Sequence, residues 1–206
     1  SEKLEGFLVA TAGGALLIAA GTELIEPSLE QSTLWVVALA VAAGAVVFAI
    51  ADYWIDEKWG QDSGGGLLAA ITLDGVPENL ALGVALIGAG APEVAALAGA
   101  IVLSNLPEAA GSAREMRRRG FSGARILALW TATAALLSAA ALLGNGLLQG
   151  ASEHQLAAIR SFAAGAVIAS LATEVFPKAF REDRHWAGVA AALGAIMAFA
   201  LGSLGA

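Results

Sequence analysis

The chain contains no cysteine, which excludes disulfides, thiolate metal sites and cysteine nucleophiles and leaves the redox state of its compartment unread. Charge is scarce as well: 14% of the 206 residues are charged, against roughly a quarter in a soluble domain. Histidine is limited to His154 and His185, both in polar stretches, so no apolar run carries an imidazole. What fills the chain instead is hydrophobic, at 58% of residues and a mean hydropathy of +0.74. This is the composition of a membrane protein.

A membrane-spanning helix needs about 20 mostly apolar residues. Seven runs meet that length: 6–26, 33–52, 66–89, 92–113, 124–147, 157–177 and 186–205. Their connections are short, which predicts an all-α polytopic bundle forming one transmembrane domain over 1–206. The one longer connection, DYWIDEKWGQDSGGG from Asp52, is acidic and Gly-rich and reads as a mobile loop.

Lysine and arginine set the orientation. If the seven runs alternate in direction, Lys3, Lys58, Arg114, Arg117, Arg118, Arg119, Arg125, Lys178, Arg181 and Arg184 share one side, and Arg160 alone lies on the other. That asymmetry places the basic side in the cytoplasm and the C-terminus outside. It also explains REMRRRGFSGAR without nucleic acid, so no nucleic-acid partner is expected; the partner is the bilayer of an inner or plasma membrane. Trp35, Trp54 and Trp186 near the helix ends suit an interfacial aromatic belt.

The sequence also repeats. GALLIAAGTEL (14–24) and GAVIASLATEV (165–175) share Gly-Ala, six intervening residues, then Thr-Glu, at an offset of 151. Pro27 and Pro177 follow them. Trp35 answers Trp186 and Phe48 answers Phe199 at the same offset, while GAVVFA answers GAIMAFA with a slip of one residue. Under alternating topology the helices of Glu23 and Glu174 run in opposite directions, so the units 1–56 and 124–206 form an inverted repeat around a central hairpin, 66–113. Inverted repeats of this kind are typical of secondary transporters. The helix at 124–147 has no counterpart before residue 1, and a first transmembrane helix, absent from this chain, is expected in the gene product.

Inside the hairpin, LDGVPENLALG (73–83) and LSNLPEAAGSA (103–113) each combine a helix breaker with an acid. Pro77 and Pro107 both fall near mid-helix, so the two motifs lie at one membrane depth. Asp74 and Glu78 are four residues apart, as are Ser104 and Glu108, with Asn105 three before Glu108; each set shares a helix face. Proline also releases the carbonyl four residues earlier, here those of Leu73 and Leu103. A charged acid at the bilayer centre costs about 2.5 to 3.5 kcal/mol, so Asp74, Glu78 and Glu108 unpaired would cost on the order of 8 to 10 kcal/mol. No Lys, Arg or His lies at matching depth, which leaves a divalent cation, protons, or both. The rival reading is protonated acids serving as interhelical glue, with Gly75, Gly83, Gly99 and Gly111 as close-packing residues.

DGVPEN and SNLPEA resemble the paired metal-binding motifs of the ZIP (Zrt/Irt-like) metal transporters, whose first motif is often written HNxPEG. The resemblance implies a 3+2+3 arrangement of eight helices, of which this chain supplies the last seven (2+2+3). It also implies that Asp74 stands where the family has His, that Glu78 takes the place of its bridging Glu, and that Ser104, Asn105 and Glu108 face the metal. Gly75 replaces the family's Asn, Asn79 its closing Gly, and the helix at 124–147 offers only Thr131, Thr133 and Ser138 for a second site. One oxygen-rich site is therefore expected rather than two metals. Oxygen ligands favour Mg, Ca or Mn more than a His-containing site would, and the family keeps zinc and iron in view. The resemblance thus implies a divalent metal cation as the transported substrate, with no organic cofactor expected and a homodimer as one possible assembly.

Glu23 and Glu174 lie one to two turns from opposite faces, as acids on the cation's route or as helix-end residues that snorkel. Two other functions stay open: a transporter of another solute in which the carboxylates carry protons, and an intramembrane hydrolase using Asp74 with Glu78 or Glu108. No enzyme is expected, because the bundle contains no Ser-His arrangement and no H-E-x-x-H.

Overall fold

The computed structural model describes residues 2–59, 64–87 and 91–203 and is all-helical over them. The first rod joins α1 (Glu2–Ala19), a π-helical segment π1 (Ala20–Ile25) and α2 (Glu26–Gln31). It is followed by α3 (Leu34–Trp59), α4 (Gly64–Ala85), α5 (Ala91–Arg118) and α6 (Gly123–Leu148). A second composite rod joins α7 (Glu153–Ser170), π2 (Leu171–Val175) and α8 (Phe176–Glu182), and α9 (Ala187–Ser203) closes the chain. The acidic stretch after Asp52 is helical as far as Trp59 rather than loop, because α3 continues for seven residues past its apolar run. Residues 60–63 of that stretch lie outside the described residues.

Local chemistry accounts for the helix ends. Gly120, at φ +86°, ends α5: the Phe121 amide donates to Met116 O and the Gly120 amide to Arg117 O, the paired bonds of a Schellman stop that only glycine makes without strain. Ser122 then caps α6 by accepting from the Arg125 amide. A capping box starts α7, in which Ser152 Oγ accepts from the Gln155 amide and Gln155 Oε1 accepts from the Ser152 amide.

Four described helices are long and apolar enough to cross a membrane: Lys3–Gln31, Leu34–Ile55, Gly123–Leu148 and Glu153–Glu182. Their burial differs sharply. The first and last are 61% buried over their apolar windows, against 17% and 6% for the other two, so the two composite rods form the centre while α3 and α6 are peripheral. The core they build is rich in alanine (Ala10, Ala15, Ala19, Ala20, Ala163, Ala164), and Leu39, Leu127, Leu142 and Leu147 point outward. A core of small residues beneath a surface of large aliphatic ones is the pattern of a bundle embedded in lipid.

Glycine makes the tightest contacts in this core. In the seam between α1 and α9, a Cβ on Gly14 would strike Ala191 O and one on Gly194 would strike Thr11 O. Between α7 and α3, a Cβ on Gly165 would strike Val41 O and one on Gly44 would strike Phe162 O. Gly14 and Gly165 are 151 apart, as are Thr11 and Phe162; Gly44 and Gly194, like Val41 and Ala191, are 150 apart, the slip already seen in the sequence. One seam is thus the positional copy of the other.

Candidate functional site

Pro77 lies inside α4, and the helix continues through it. Stripes of the helix explain how. Gly75, Asn79 and Gly83 recur every four residues and face α6: a Cβ on Gly75 would meet the Leu137 side chain, one on Gly83 would strike Ala141 O, and Asn145 Nδ2 donates to Gly83 O at 3.3 Å. Asn79 Nδ2 donates back to Gly75 O at 2.8 Å, adding a bond one turn from the proline. Glu78, Ala81 and Ala85 form the adjoining stripe and are buried, Glu78 at 3% exposure. Ala81 and Ala85 pack into the core with residues of α1, π1 and α7, so the stripe that carries Glu78 looks into the centre of the bundle.

On α5 the buried residues Leu97 and Ile101 belong to the same core, and by helical register positions 104 and 108 continue their stripe. Asn105 is half-buried. Asp74, Ser104 and Glu108 occupy helical backbone in α4 and α5, but their side chains lie outside the described residues. Among the described residues no three His, Cys, Asp or Glu side chains gather as a metal centre. Of the four hairpin glycines, Gly75, Gly83 and Gly111 leave no room for a Cβ, which on Gly111 would strike the Glu5 carboxylate, whereas one on Gly99 would meet, among the described residues, Leu201 at 4.0 Å.

Glu23 lies in π1 and Glu174 in π2. π-helical turns inside α-helices concentrate at functional positions, because the wider turn re-aims the side chains it carries. Thr22 Oγ1 shares its single proton between Ile18 O at 3.1 Å and Glu23 Oε1 at 3.0 Å, which holds the half-buried carboxylate against its own helix. π1 touches both motif helices, α4 and α5, as well as α7, while π2 touches α1, α7 and α8. The structure therefore brings the segment of Glu23, the stripe of Glu78 and helix α5 to one place and sets Glu174 in a separate one.

Two polar clusters mark opposite ends of the bundle. At one, Glu5 of α1 pairs with Arg114 of α5 at 3.0 Å and with Lys178 of α8 at 3.8 Å. At the other, Arg160 of α7 is 6% exposed and donates to Ile87 O at 3.1 Å, Val84 O at 3.5 Å and Gln31 Oε1 at 3.2 Å. The guanidinium thus covers carbonyls at the C-terminal end of α4, where the helix dipole favours a cation, and ties that end to α2. Neither cluster is apparent from motif reading. For Arg160 the available signal was its position, as the only basic residue on the sparse side of the charge distribution and within an apolar run.

No protein-family model matches this chain, and no curated protein matches it.

Proposed function

We propose that this protein is a membrane transporter that carries a divalent metal cation towards the cytoplasm by alternating access, as its resemblance to the ZIP transporters implies. In this reading all seven rods span the bilayer, the units flanking the α4–α5 hairpin are inverted repeats, and the end bearing Glu5, Arg114 and Lys178 is cytoplasmic. The observation that carries it is the burial of Glu78 on a proline-containing helix, on the stripe packed against the π1 segment of Glu23. A carboxylate in that position offers a divalent cation an oxygen ligand in exchange for its hydration water.

The substrate cation would exchange water for the carboxylates of Asp74, Glu78 and Glu108, assisted by Ser104, Asn105 and the carbonyls of Leu73 and Leu103. Glu23 and Glu174 serve as acids along the route on opposite sides of this site. The paired glycine seams support a rigid-body motion, since each binds one helix of one unit to one helix of the other as a close-packed block. The ionic cluster at Glu5 and the Arg160 cluster are then the contacts that hold the two ends shut.

Crystals soaked with zinc, manganese and cadmium test the site directly. One anomalous peak between α4 and α5 beside Glu78, lost in Glu78→Gln, is expected. A map with no peak there overturns the metal site and favours carboxylates that carry protons alone.

A further inference from the structure

A groove of about 640 Å³ opens between α5 and α6, next to the turn that joins them. Its two walls differ in chemistry. Arg114, Arg117 and Arg118 line the α5 side, at helical spacings of three and four that put them on one face. Ile126, Leu127 and Trp130 line the α6 side, again at three- and four-residue spacing. A guanidinium wall facing an aliphatic and aromatic wall suits a molecule with an anionic head and an alkyl tail.

The described residues neutralise only part of the positive charge around the groove. Residues 114–125 hold five arginines and one glutamate. That glutamate, Glu115, accepts from Arg119 Nε at 2.8 Å and lies 4.0 Å from Arg118; its bond to Arg119 holds the carboxyl below the ordinary glutamate range. Arg114 pairs with Glu5 on α1, and Arg125 stacks over the Phe121 ring at 4.3 Å. The Arg117 side chain has no hydrogen bond or ion pair with any described residue, and it lines the groove beside Gly123, where a Cβ would come 3.2 Å from its Nη1. Trp130 Nε1, buried at the far end, also has no partner among the described residues. Leu127, 69% exposed, carries the apolar wall out onto the surface of α6, which is among the most outward-facing helices of the bundle.

We infer that this groove binds one anionic phospholipid, with its phosphate held by Arg117 and Arg118 and an acyl chain lying along Ile126, Leu127 and Trp130. The proposal needs only that the bundle is embedded in a bilayer, and it stands whether or not the protein transports metal. Anionic lipid surfaces attract juxtamembrane basic residues, and basic pockets between membrane helices take up their headgroups. The apolar wall makes this one a lipid site rather than a site for a free anion. A lipid seated there would brace the α5–α6 turn next to the Arg114–Glu5 pair, linking membrane composition to one end of the bundle.

Native mass spectrometry of the full chain in detergent, titrated with phosphatidylglycerol or phosphatidylcholine, tests the assignment. The wild type is expected to retain one phosphatidylglycerol in preference to phosphatidylcholine. Arg117→Gln and Arg118→Gln are each expected to weaken that retention about fivefold, in line with the usual strength of one basic residue at an anionic surface. Leu127→Asn should weaken it with the arginines intact, and inorganic phosphate should not displace the lipid. Arg184→Gln, at a site far along the chain beside Phe180, should leave it unchanged. Equal losses in Arg184→Gln and Arg117→Gln would reduce the effect to general surface charge and overturn the proposal, as would displacement of the lipid by phosphate. All variants are exposed-side substitutions, and monodispersity with unchanged helix content checks that each one is folded.

Discussion

Thr22 and Thr173, 151 residues apart, make the same bond: each Oγ1 donates to the carbonyl four residues earlier, Ile18 O and Ala169 O, at 3.1 Å in both cases. Each bond lies at a π-helical segment, each threonine precedes a glutamate, and the segments begin at Ala20 and Leu171, again 151 apart. Sequence, irregular geometry and acid thus recur together at the two positions. The irregular turn also sets which way Glu23 and Glu174 face, so under the proposed function its geometry bears on the cation's route.

Deleting Ala172 removes the extra residue that π2 absorbs and lets a regular α-helix form, which re-aims Glu174 while the helix beyond stays close to its register. Near-normal helix content with loss of metal uptake into proteoliposomes is expected. Deleting one residue of the loop at 149–151 is the control and should be tolerated.

Gly165→Val drives a side chain into Val41 O, a backbone atom that cannot swing aside. A loss of stability of about 1–3 kcal/mol or more is expected, read as a lower thermal midpoint in detergent. Gly146→Ala meets nothing within 4 Å and should match or exceed wild type, because alanine is the better helix former.

Arg160→Met takes the guanidinium donor from the half-buried Ile87 carbonyl and one of two donors from Val84 O, which keeps its bond from the Ile87 amide at 3.0 Å. The expected cost is about 1–3 kcal/mol per group left unsatisfied, again read as a thermal midpoint. Arg160→Lys, with a single ammonium in place of the planar fork, should fall between the two. Uptake should fall with stability in Arg160→Met, because the C-terminal end of the helix carrying Glu78 loses its anchor.

The cluster at Glu5 should behave differently. Its partners are partly exposed, Arg114 at 53% and Lys178 at 32% of side-chain surface, so Glu5→Gln is expected to cost at most about 1 kcal/mol. Its effect should be on access. The chain has no cysteine, so Ser112→Cys, at a position 9% exposed, supplies a single reporter thiol. Slow labelling in the otherwise unchanged chain and faster labelling with Glu5→Gln are expected; equal rates would deny the cluster a role in closing that end.

The helices were legible because apolar runs of this length leave a plain record: 124–147 was expected where Gly123–Leu148 is found, and all of 33–52 but its first residue falls within Leu34–Trp59. The overrun to Trp59 was not, since a charged helix leaving an apolar run resembles an acidic loop in composition. The glycine seams were half-legible. The matched Gly-Ala pairs marked the repeat, but which helix each glycine meets is a tertiary fact. Likewise Thr-Glu marked positions 22–23 and 173–174, although no residue preference announces a π-helical turn. The candidate site was read from Pro-Glu spacing; of its three acids the Glu78 side chain alone is described, and it is buried. Arg160 escaped because its partners are backbone carbonyls far away in sequence, which leave no motif.

Uptake of zinc and manganese into proteoliposomes by protein carrying both Glu78→Gln and Glu108→Gln bears most directly on the proposed function. With folding verified by circular dichroism, uptake is expected to fall to the level of empty liposomes. Uptake equal to that of the unmodified chain would contradict transport of a metal cation through the paired Pro-Glu helices.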